Sequence, residues 1–243
     1  MGLPYDVTFA GHTDVGKKRG HNEDSLIYDA DHAFALVADG MGGHQAGEVA
    51  SNLIVDIFTK GLDEFEDLDP GKRLMALIER SNDIIYRDSQ ESTARQGMGS
   101  TITCLLLSNR GYHVVNVGDS RTYLLRQGEL IQITDDHSFV QLQVQMGLLS
   151  KEDSRHSKLR HILTRSIGGQ PTIEADLFEG SVASGDLFLL CTDGFHQGFS
   201  DEEIEDLLNE NHNDLESFAE SLVHSANERD GSDNISVILA KIR

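Results

Sequence analysis

The sequence of 243 residues lacks the residues that mark several protein classes, with no tryptophan, three prolines and two cysteines. Two cysteines exclude a disulfide framework, and Cys104 and Cys191 both lie in apolar runs, as buried cysteines in a reducing compartment usually do. Three prolines exclude a proline-rich linker, and no repeat or low-complexity tract divides the chain. We therefore expect a single domain over residues 1–243.

Positive charge is also scarce, since 20 Lys and Arg face 41 Asp and Glu, which gives a formal net charge of −21. A chain this acidic repels nucleic acid and anionic lipid, so neither nucleic acid nor a membrane is expected as a partner. No apolar run approaches the ~18 residues of a membrane span. The first six residues have neither the basic nor the apolar region of a secretory signal, so we expect a cytoplasmic protein.

Hydrophobic residues make up 38% of the chain, which is enough for a sizeable core. Their spacing predicts strands in runs near 5–38, 100–133 and 172–192, with pairs of helices between runs. The first helix is predicted over 46–60 and is expected to end at Gly61, because glycine commonly follows a helix. Such an order is typical of an α+β fold in which two antiparallel sheets pack together with helix pairs outside.

Several apolar strands adjoin an aspartate, most with a glycine beside it. These are, in chain order, Asp39-Gly40, Gly118-Asp119, Asp193-Gly194 and Asp233. A single Asp-Gly pair would indicate a hairpin turn. Several strand ends can instead converge on one sheet edge, where carboxylates repel unless cations or protons hold them together. Oxygen ligands favour Mg²⁺ or Mn²⁺ over zinc, and a glycine lets its carbonyl reach the ion.

The segment before the second strand allows two interpretations. Gly11 to Lys18 nearly matches a nucleotide-binding P-loop, but Lys18 stands where the motif needs a hydroxyl, which disfavours nucleotide hydrolysis. Arg19 leads directly into Glu23 and Asp24. An arginine close to a metal-site acid can bind a phosphate through two N–H groups.

One ordered series of motifs spans the chain. Its members are Asp14-x-Gly16-x-x-Arg19-x-x-Asn22-Glu23-Asp24, Val37-Ala38-Asp39-Gly40-Met41-Gly42-Gly43-His44, Gly99-Ser100-Thr101, Asn116-Val117-Gly118-Asp119-Ser120-Arg121, Leu163-Thr164-Arg165-Ser166-Ile167-Gly168, Thr192-Asp193-Gly194 and Asp233-Asn234-Ile235-Ser236. Each motif is modest alone. The set, in this order, resembles the metal-dependent serine/threonine phosphatases of the PP2C (PPM) family, bacterial type.

The resemblance implies an α-β-β-α sandwich that binds two Mn²⁺ or Mg²⁺ ions at one edge. The residues implied at this centre are Asp39 as the bridge between the ions, the Gly40 carbonyl on one ion, Asp193 and Asp233 on the other, Glu23 and Asp24 acting through water, Asp119 at a weaker third metal site and Arg19 at the phosphate. Eukaryotic relatives carry a histidine, proposed as general acid, where this chain and bacterial members have Met41. His44 follows three positions later, with either a protonation role or a packing role.

From the resemblance we expect hydrolysis of phosphoserine and phosphothreonine in proteins, by a water that the two ions activate. The expected partners are phosphorylated proteins, including a cognate serine/threonine kinase that the enzyme opposes, and the expected state is a monomer. A cysteine nucleophile is disfavoured because neither cysteine has a base beside it. The alternative is a regulatory module of the same fold that senses phosphoproteins with negligible turnover.

Residues 144–185 correspond in position to the mobile flap of bacterial relatives. Part of this stretch is unusually basic for so acidic a chain. Its cations are Lys151, Arg155, Lys158, Arg160 and Arg165. We expect them to help admit negatively charged phosphopeptides, and a solvated surface loop is the alternative.

Overall fold

The computed structural model describes residues 3–42, 46–210 and 214–243. The strands of the described residues are β1 (Val7–Asp14), β2 (Asp24–Asp29), β3 (Phe34–Met41), β4 (Gly99–Ser100), β5 (Ile102–Ser108), β6 (Gly111–Val117), β7 (Arg121–Arg126), β8 (Glu129–Gln132), β9 (Asp176–Gly180), β10 (Leu187–Cys191) and β11 (Ile235–Ile242). Their helices are α1 (Ala46–Glu64), α2 (Pro70–Glu91), α3 (Phe139–Gln145), α4 (Lys151–His156), α5 (Asp193–His196), α6 (Asp201–Asn209) and α7 (Leu215–Arg229), with a 3₁₀ turn at Thr93–Arg95.

The strands form two antiparallel sheets. One sheet has the order β1-β11-β10-β7-β8, and the other has the order β2-β3-β5-β6-β9 with β4 beside β3. Consecutive strands β6 and β7 belong to different sheets, so residues 118–120 cross from one sheet to the other. Strand ends from both sheets therefore meet along one edge.

Alternation along the strands builds three layers of core, because successive side chains point to opposite faces of a sheet. Phe34 and Leu36 of β3 pack against α1 and α2, whereas Ala35 and Val37 face the other sheet. The outer face of the five-stranded sheet is covered by α6 and α7, with Leu222 fully in that core. The expected sandwich of two antiparallel sheets between helix pairs is confirmed.

The end of the first helix differs from the sequence prediction. Helix α1 continues through Gly61 to Glu64. A Cβ on Gly61 would lie 2.3 Å from Cδ2 of Leu77 in α2. This glycine therefore allows two helices to pack closely and does not end one, which spacing along the chain alone cannot reveal.

A long insertion, residues 133–175, separates β8 from β9 and contains α3 and α4. An isolated bridge between Ser100 and Ile167 ties it to the body. A second bridge, between Ser138 and Leu163, lies within the insertion. The predicted flap segment 144–185 contains much of this insertion and also β9, which pairs with β6 in the sheet.

The stretch that resembles a P-loop has another structure. Gly11 to Asp14 lie within β1, paired with β11, and the residues from there to β2, all described, contain no helix. A P-loop needs a phosphate-binding turn that opens a helix, so that geometry is missing here. None of the described helices combines the length and the apolar character needed to cross a bilayer.

Candidate active site

Five aspartates approach one another where the ends of both sheets meet. Asp24 and Asp39 are register partners on β2 and β3 of the six-stranded sheet. Asp193 follows β10 and Asp233 precedes β11, and these two strands are neighbours in the five-stranded sheet. Asp119 lies in the segment that crosses between the sheets. Residues far apart in sequence are thus brought to one edge, which we call the acid rim.

The acid rim opens into a cavity of about 490 Å³. The predicted site residues that line it are Arg19, Glu23, Asp39, Gly40, Asp119, Asp193 and Asp233. Of the predicted set, Asp24 alone is absent from the lining. His161, Leu163 and Ser166 of the insertion line the cavity too, as does Met41. His44, whose role was left open, lies outside the described residues.

Asp24 joins the two sheets through hydrogen bonds. Its Oδ2 accepts from Thr192 Oγ1 at 2.8 Å and from Ser236 Oγ at 2.7 Å. Its Oδ1 is buried without a hydrogen-bond partner among the described residues. Burial raises the pKa of Asp24 to about 7, against the pull of the two hydroxyl hydrogen bonds.

Asp39 and Gly40 continue strand β3 and do not form a hairpin turn. The Asp39 amide donates to Thr101 Oγ1 at 3.0 Å, which holds the backbone at this point. A Cβ on Gly40 would lie 2.1 Å from the carbonyl oxygen of Gly47, so glycine is needed for α1 to pack this close. Burial, then the negative charges of Asp24 and other rim acids, raise the pKa of Asp39 well above its usual value.

The second Asp-Gly pair is also not a hairpin turn, because Asp193 is the first residue of α5. Asp193 Oδ2 accepts from Gln197 Nε2 at 2.7 Å, and Oδ1 is buried with no partner in the described part of the chain. Burial and the charge of Asp233 raise the pKa of Asp193 to about 6. Gln197 was missed from sequence, although it stands one helical turn after Asp193.

Arg19 contacts the acid rim directly. Its Nη2 donates to Asp233 Oδ2 at 2.7 Å, and its side chain is 48% exposed. The other oxygen of Asp233 accepts from the backbone amide of Asn234 at 2.9 Å. Arg19 therefore stands at the mouth of the cavity with further N–H donors of its fork available.

Asn234 organises the loop that carries Arg19, a role that sequence analysis missed. Its Nδ2 donates to the carbonyls of Val15 and His21, both at 2.9 Å, and its Oδ1 accepts from the Glu23 amide at 2.8 Å. One amide side chain thus connects three points of this loop to the start of β11. The available signal was the Asp-Asn dipeptide of the last motif.

Glu23 also lines the cavity and is counted with the five aspartates of the acid rim. Glu23 Oε1 is buried with no partner in the described segments, and burial raises the pKa of this residue. Asp119 is 6% exposed, and burial, together with the nearby charge of Asp193, raises its pKa well above the usual value. The Asp119 carbonyl is paired with Nε2 of His196 at 2.9 Å.

The chemistry of the acid rim fits hard divalent cations. All its side-chain donors are carboxylate oxygens, the type that Mg²⁺ and Mn²⁺ prefer. Glu23, Asp24 and Asp193 each have a buried oxygen without a partner within 3–42, 46–210 and 214–243. Within those ranges, no three His, Cys, Asp or Glu side chains are arranged to hold one metal ion. The acids therefore surround a cavity without forming a finished coordination shell.

Comparison with known proteins identifies the class to which this fold and site belong. The family model of protein phosphatase 2C matches residues 16–240. The serine/threonine phosphatase stp of Listeria welshimeri serovar 6b is 34% identical over 238 residues, which cover 94% of this chain and 93% of that protein. The chain belongs to the protein phosphatase 2C family.

Two bacterial phosphatases of known structure are similar along nearly the whole chain. Stp1 from Staphylococcus aureus superposes with a TM-score of 0.91 at 32% identity, covering 100% of this chain and 98% of that one. The catalytic domain of PstP, solved with two manganese ions, has a TM-score of 0.86 at 33% identity, covering 98% of this chain and 99% of that one. Full-length PstP of Mycobacterium tuberculosis is 36% identical, and the match covers 97% of this chain but 45% of PstP, so the chain spans less than half of that relative.

Proposed function

We propose that this chain is a metal-dependent phosphatase that hydrolyses phosphoserine and phosphothreonine in proteins. The observation that carries the proposal is the acid rim, where carboxylates from both sheets converge with buried oxygens left unpartnered. Among the described residues, Arg19 is the one cationic side chain that hydrogen-bonds a rim carboxylate. The names of the bacterial relatives support the substrate class, and the manganese ions of PstP support the cofactor.

The acid rim offers ligands for two Mn²⁺ or Mg²⁺ ions. The residues that would hold them are Asp39 with the Gly40 carbonyl, Asp193 and Asp233, with Glu23 and Asp24 acting through water and Asp119 at a third, weaker site. When bound, divalent cations supply Lewis acidity, which activates water as a nucleophile and offsets charge on the phosphoryl oxygens.

The chain's own contribution begins with Arg19. The hydrogen bond to Asp233 holds its guanidinium at the cavity mouth, and the remaining N–H groups can donate to a substrate phosphate. Those bonds stabilise the charge that builds on the phosphoryl group during transfer. No protein nucleophile is needed, and burial raises the pKa of the Cys104 thiol to about 12 and that of Cys191 further, which disfavours a cysteine mechanism.

The insertion contributes to substrate admission. Two of its cations have hydrogen-bond partners within the protein. Arg165 Nη1 donates to Asp176 Oδ1 at 2.8 Å, and Arg160 donates to Gln197. The side chains of Arg155 and Lys158 make no hydrogen bond or ion pair within the described residues, so these two cations can meet an anionic phosphopeptide. Opposition to a kinase, the monomeric state and the cytoplasmic location stay predictions.

Hydrolysis of a serine phosphopeptide and of p-nitrophenyl phosphate with Mn²⁺ tests the proposal. Asp39→Asn and Asp193→Asn should each lose more than ~100-fold in kcat/KM, because changing residues one step further from a metal already costs 10–100-fold. Circular dichroism checks that the variants fold. Full activity of either variant, or of the unaltered protein in excess EDTA, would overturn the proposal. Phosphopeptide binding without turnover would favour the sensing module instead.

A further inference from the structure

Gln197 connects the acid rim to the insertion through two hydrogen bonds. Its Nε2 donates to Asp193 Oδ2 at 2.7 Å, and its Oε1 accepts from Arg160 Nε at 2.9 Å. A guanidinium can only donate and an ionised carboxylate can only accept. The amide is therefore held in one orientation, and the three side chains form a continuous link from the insertion to the rim.

The backbone places Gln197 for this contact. Its amide donates to the carbonyl of Asp193 at 2.9 Å at the end of α5, so the two residues are four apart and share a helix face. With Oδ2 of Asp193 held by Gln197, the buried and unpartnered oxygen is Oδ1. One oxygen is anchored and the other is left for a ligand.

Arg160 differs from the other cations of the insertion. It donates to Gln197, which in turn donates to Asp193 of the acid rim. Lys151 also ties the insertion to the body, but its partner is Asp201, a half-buried residue of α6 outside the acid rim. Lys158, two residues before Arg160, is exposed and has no hydrogen bond within the described residues.

We propose, on the basis of the metal-dependent function above, that Gln197 is a positioning residue that presents Asp193 to a divalent cation. Arg160 makes this positioning depend on the insertion lying against the rim, because without it the amide of Gln197 is free to rotate. Coupling of two equilibria is reciprocal. If closure of the insertion against the rim strengthens cation binding at Asp193, a cation bound there stabilises the closed insertion by the same free energy.

Isothermal titration with Mn²⁺ measures the first half of this coupling. Gln197→Ala should bind Mn²⁺ about 10–100-fold more weakly, the range known for residues that orient metal ligands. Arg160→Ala should bind Mn²⁺ several-fold more weakly, and Arg160→Lys should recover part of that lost affinity. The double variant Arg160→Ala with Gln197→Ala should bind Mn²⁺ no more weakly than Gln197→Ala alone, because both changes break the same link. Lys158→Ala is the matched control and should bind Mn²⁺ as the unaltered protein does.

Hydrogen exchange over residues 146–163 measures the second half. Mn²⁺ should slow exchange there in the unaltered protein and in Lys158→Ala, and should have less effect in Arg160→Ala. A purely structural role would instead lower the melting temperature in EDTA without changing the response to Mn²⁺.

The outcomes separate this inference from the function on which it rests. If the unaltered protein binds no Mn²⁺, the proposed function fails. If it binds Mn²⁺ and Arg160→Ala binds equally well, with unchanged exchange, the coupling is wrong. If Gln197→Ala folds and keeps full affinity for Mn²⁺, the positioning role is wrong. If Gln197→Ala does not fold, the Mn²⁺ affinity of Arg160→Ala decides the question.

Discussion

Asp136 and the acid rim both hold largely buried carboxylates, and they differ in how the negative charge is balanced. Asp136 makes a two-point ion pair with Arg121, with both N–O distances at 2.7 Å, and the pKa of Asp136 falls below its usual value despite burial. Asp24 and Asp39 have no cationic hydrogen-bond partner in the described residues, and their pKa values are raised. A carboxylate balanced within the chain serves the fold, whereas unbalanced ones are available to a cation.

Chain topology explains the contrast. Arg121 begins β7 and Asp136 follows β8, its neighbour, so the pair closes a local hairpin within one sheet. The rim acids come from the ends of strands in both sheets, and Asp39 and Asp24 are positioned there by hydroxyl groups that bring no charge. The same fold therefore builds one neutral contact and one strongly negative cavity.

The largest effect is expected from breaking the balanced pair. Arg121→Met leaves the largely buried Asp136, whose side chain is 11% exposed, without a cation. We expect the free energy of unfolding to fall by about 3–5 kcal/mol in a urea titration. The double change Arg121→Met with Asp136→Leu should recover much of that loss, because no uncompensated charge remains. A single variant as stable as the unaltered protein would show that the ion pair does not stabilise the fold.

A smaller effect, of opposite sign, is expected at the acid rim. In EDTA at pH 8, Asp39→Asn should raise the free energy of unfolding in a urea titration, because it removes one of several like charges that raise the pKa of the rim acids. We expect a gain on the order of 1 kcal/mol, an ordinary size for a single substitution. With Mn²⁺ at a hundred times its Kd, the unaltered protein should gain about 2.7 kcal/mol and the variant should not.

Asp136→Asn is the matched control for this experiment, since it removes the same charge from a balanced site. It should destabilise the protein in EDTA and in Mn²⁺ alike. Destabilisation of Asp39→Asn in EDTA would mean that the rim acids do not repel one another.

The smallest effect on the free energy of unfolding is expected at His32, a titratable side chain that lies between two aspartates. His32 is hydrogen-bonded to Asp29 and Asp63 at 2.8 and 2.9 Å, and these contacts raise its pKa. The resulting stabilisation is complete below the unfolded pKa of about 6.5 and disappears as pH rises through the raised pKa of the folded state. His32→Gln should therefore cost up to ~1 kcal/mol at pH 6 and nothing at pH 9. Equal losses at both pH values, measured by urea titration, would contradict this.

Much of the architecture was predictable because it follows from local periodicity. The continuous apolar run over residues 34–38 indicated a buried strand, and the structure packs Phe34 against helices and Ala35 against the second sheet. The hairpin interpretation of Asp-Gly pairs fails at Asp39 and at Asp193, where a strand continues and a helix begins. Local turn propensity could not decide this, because strand ends, not isolated turns, determine where these residues lie.

Contacts between distant segments were not predictable in the same way. Gly61 was expected to end a helix, yet it allows α1 to approach Leu77 of α2. Asn234 and Gln197 were missed as functional residues because each acts through partners from other loops. An amide side chain has no distinguishing pattern in a sequence until its donors and acceptors are in place.

By itself, the amino-acid sequence determined the layered architecture, the excess of negative charge and which acids stand at strand ends, since these follow from residue spacing and composition. The tertiary structure alone decided which of those acids share a cavity, which oxygens stay unpartnered and that Arg160 contacts the rim through Gln197. The physical reason is that electrostatic repulsion, burial and hydrogen bonding depend on distance in space, and for residues as far apart in the chain as Asp39 and Asp233 that distance exists only once both sheets have packed.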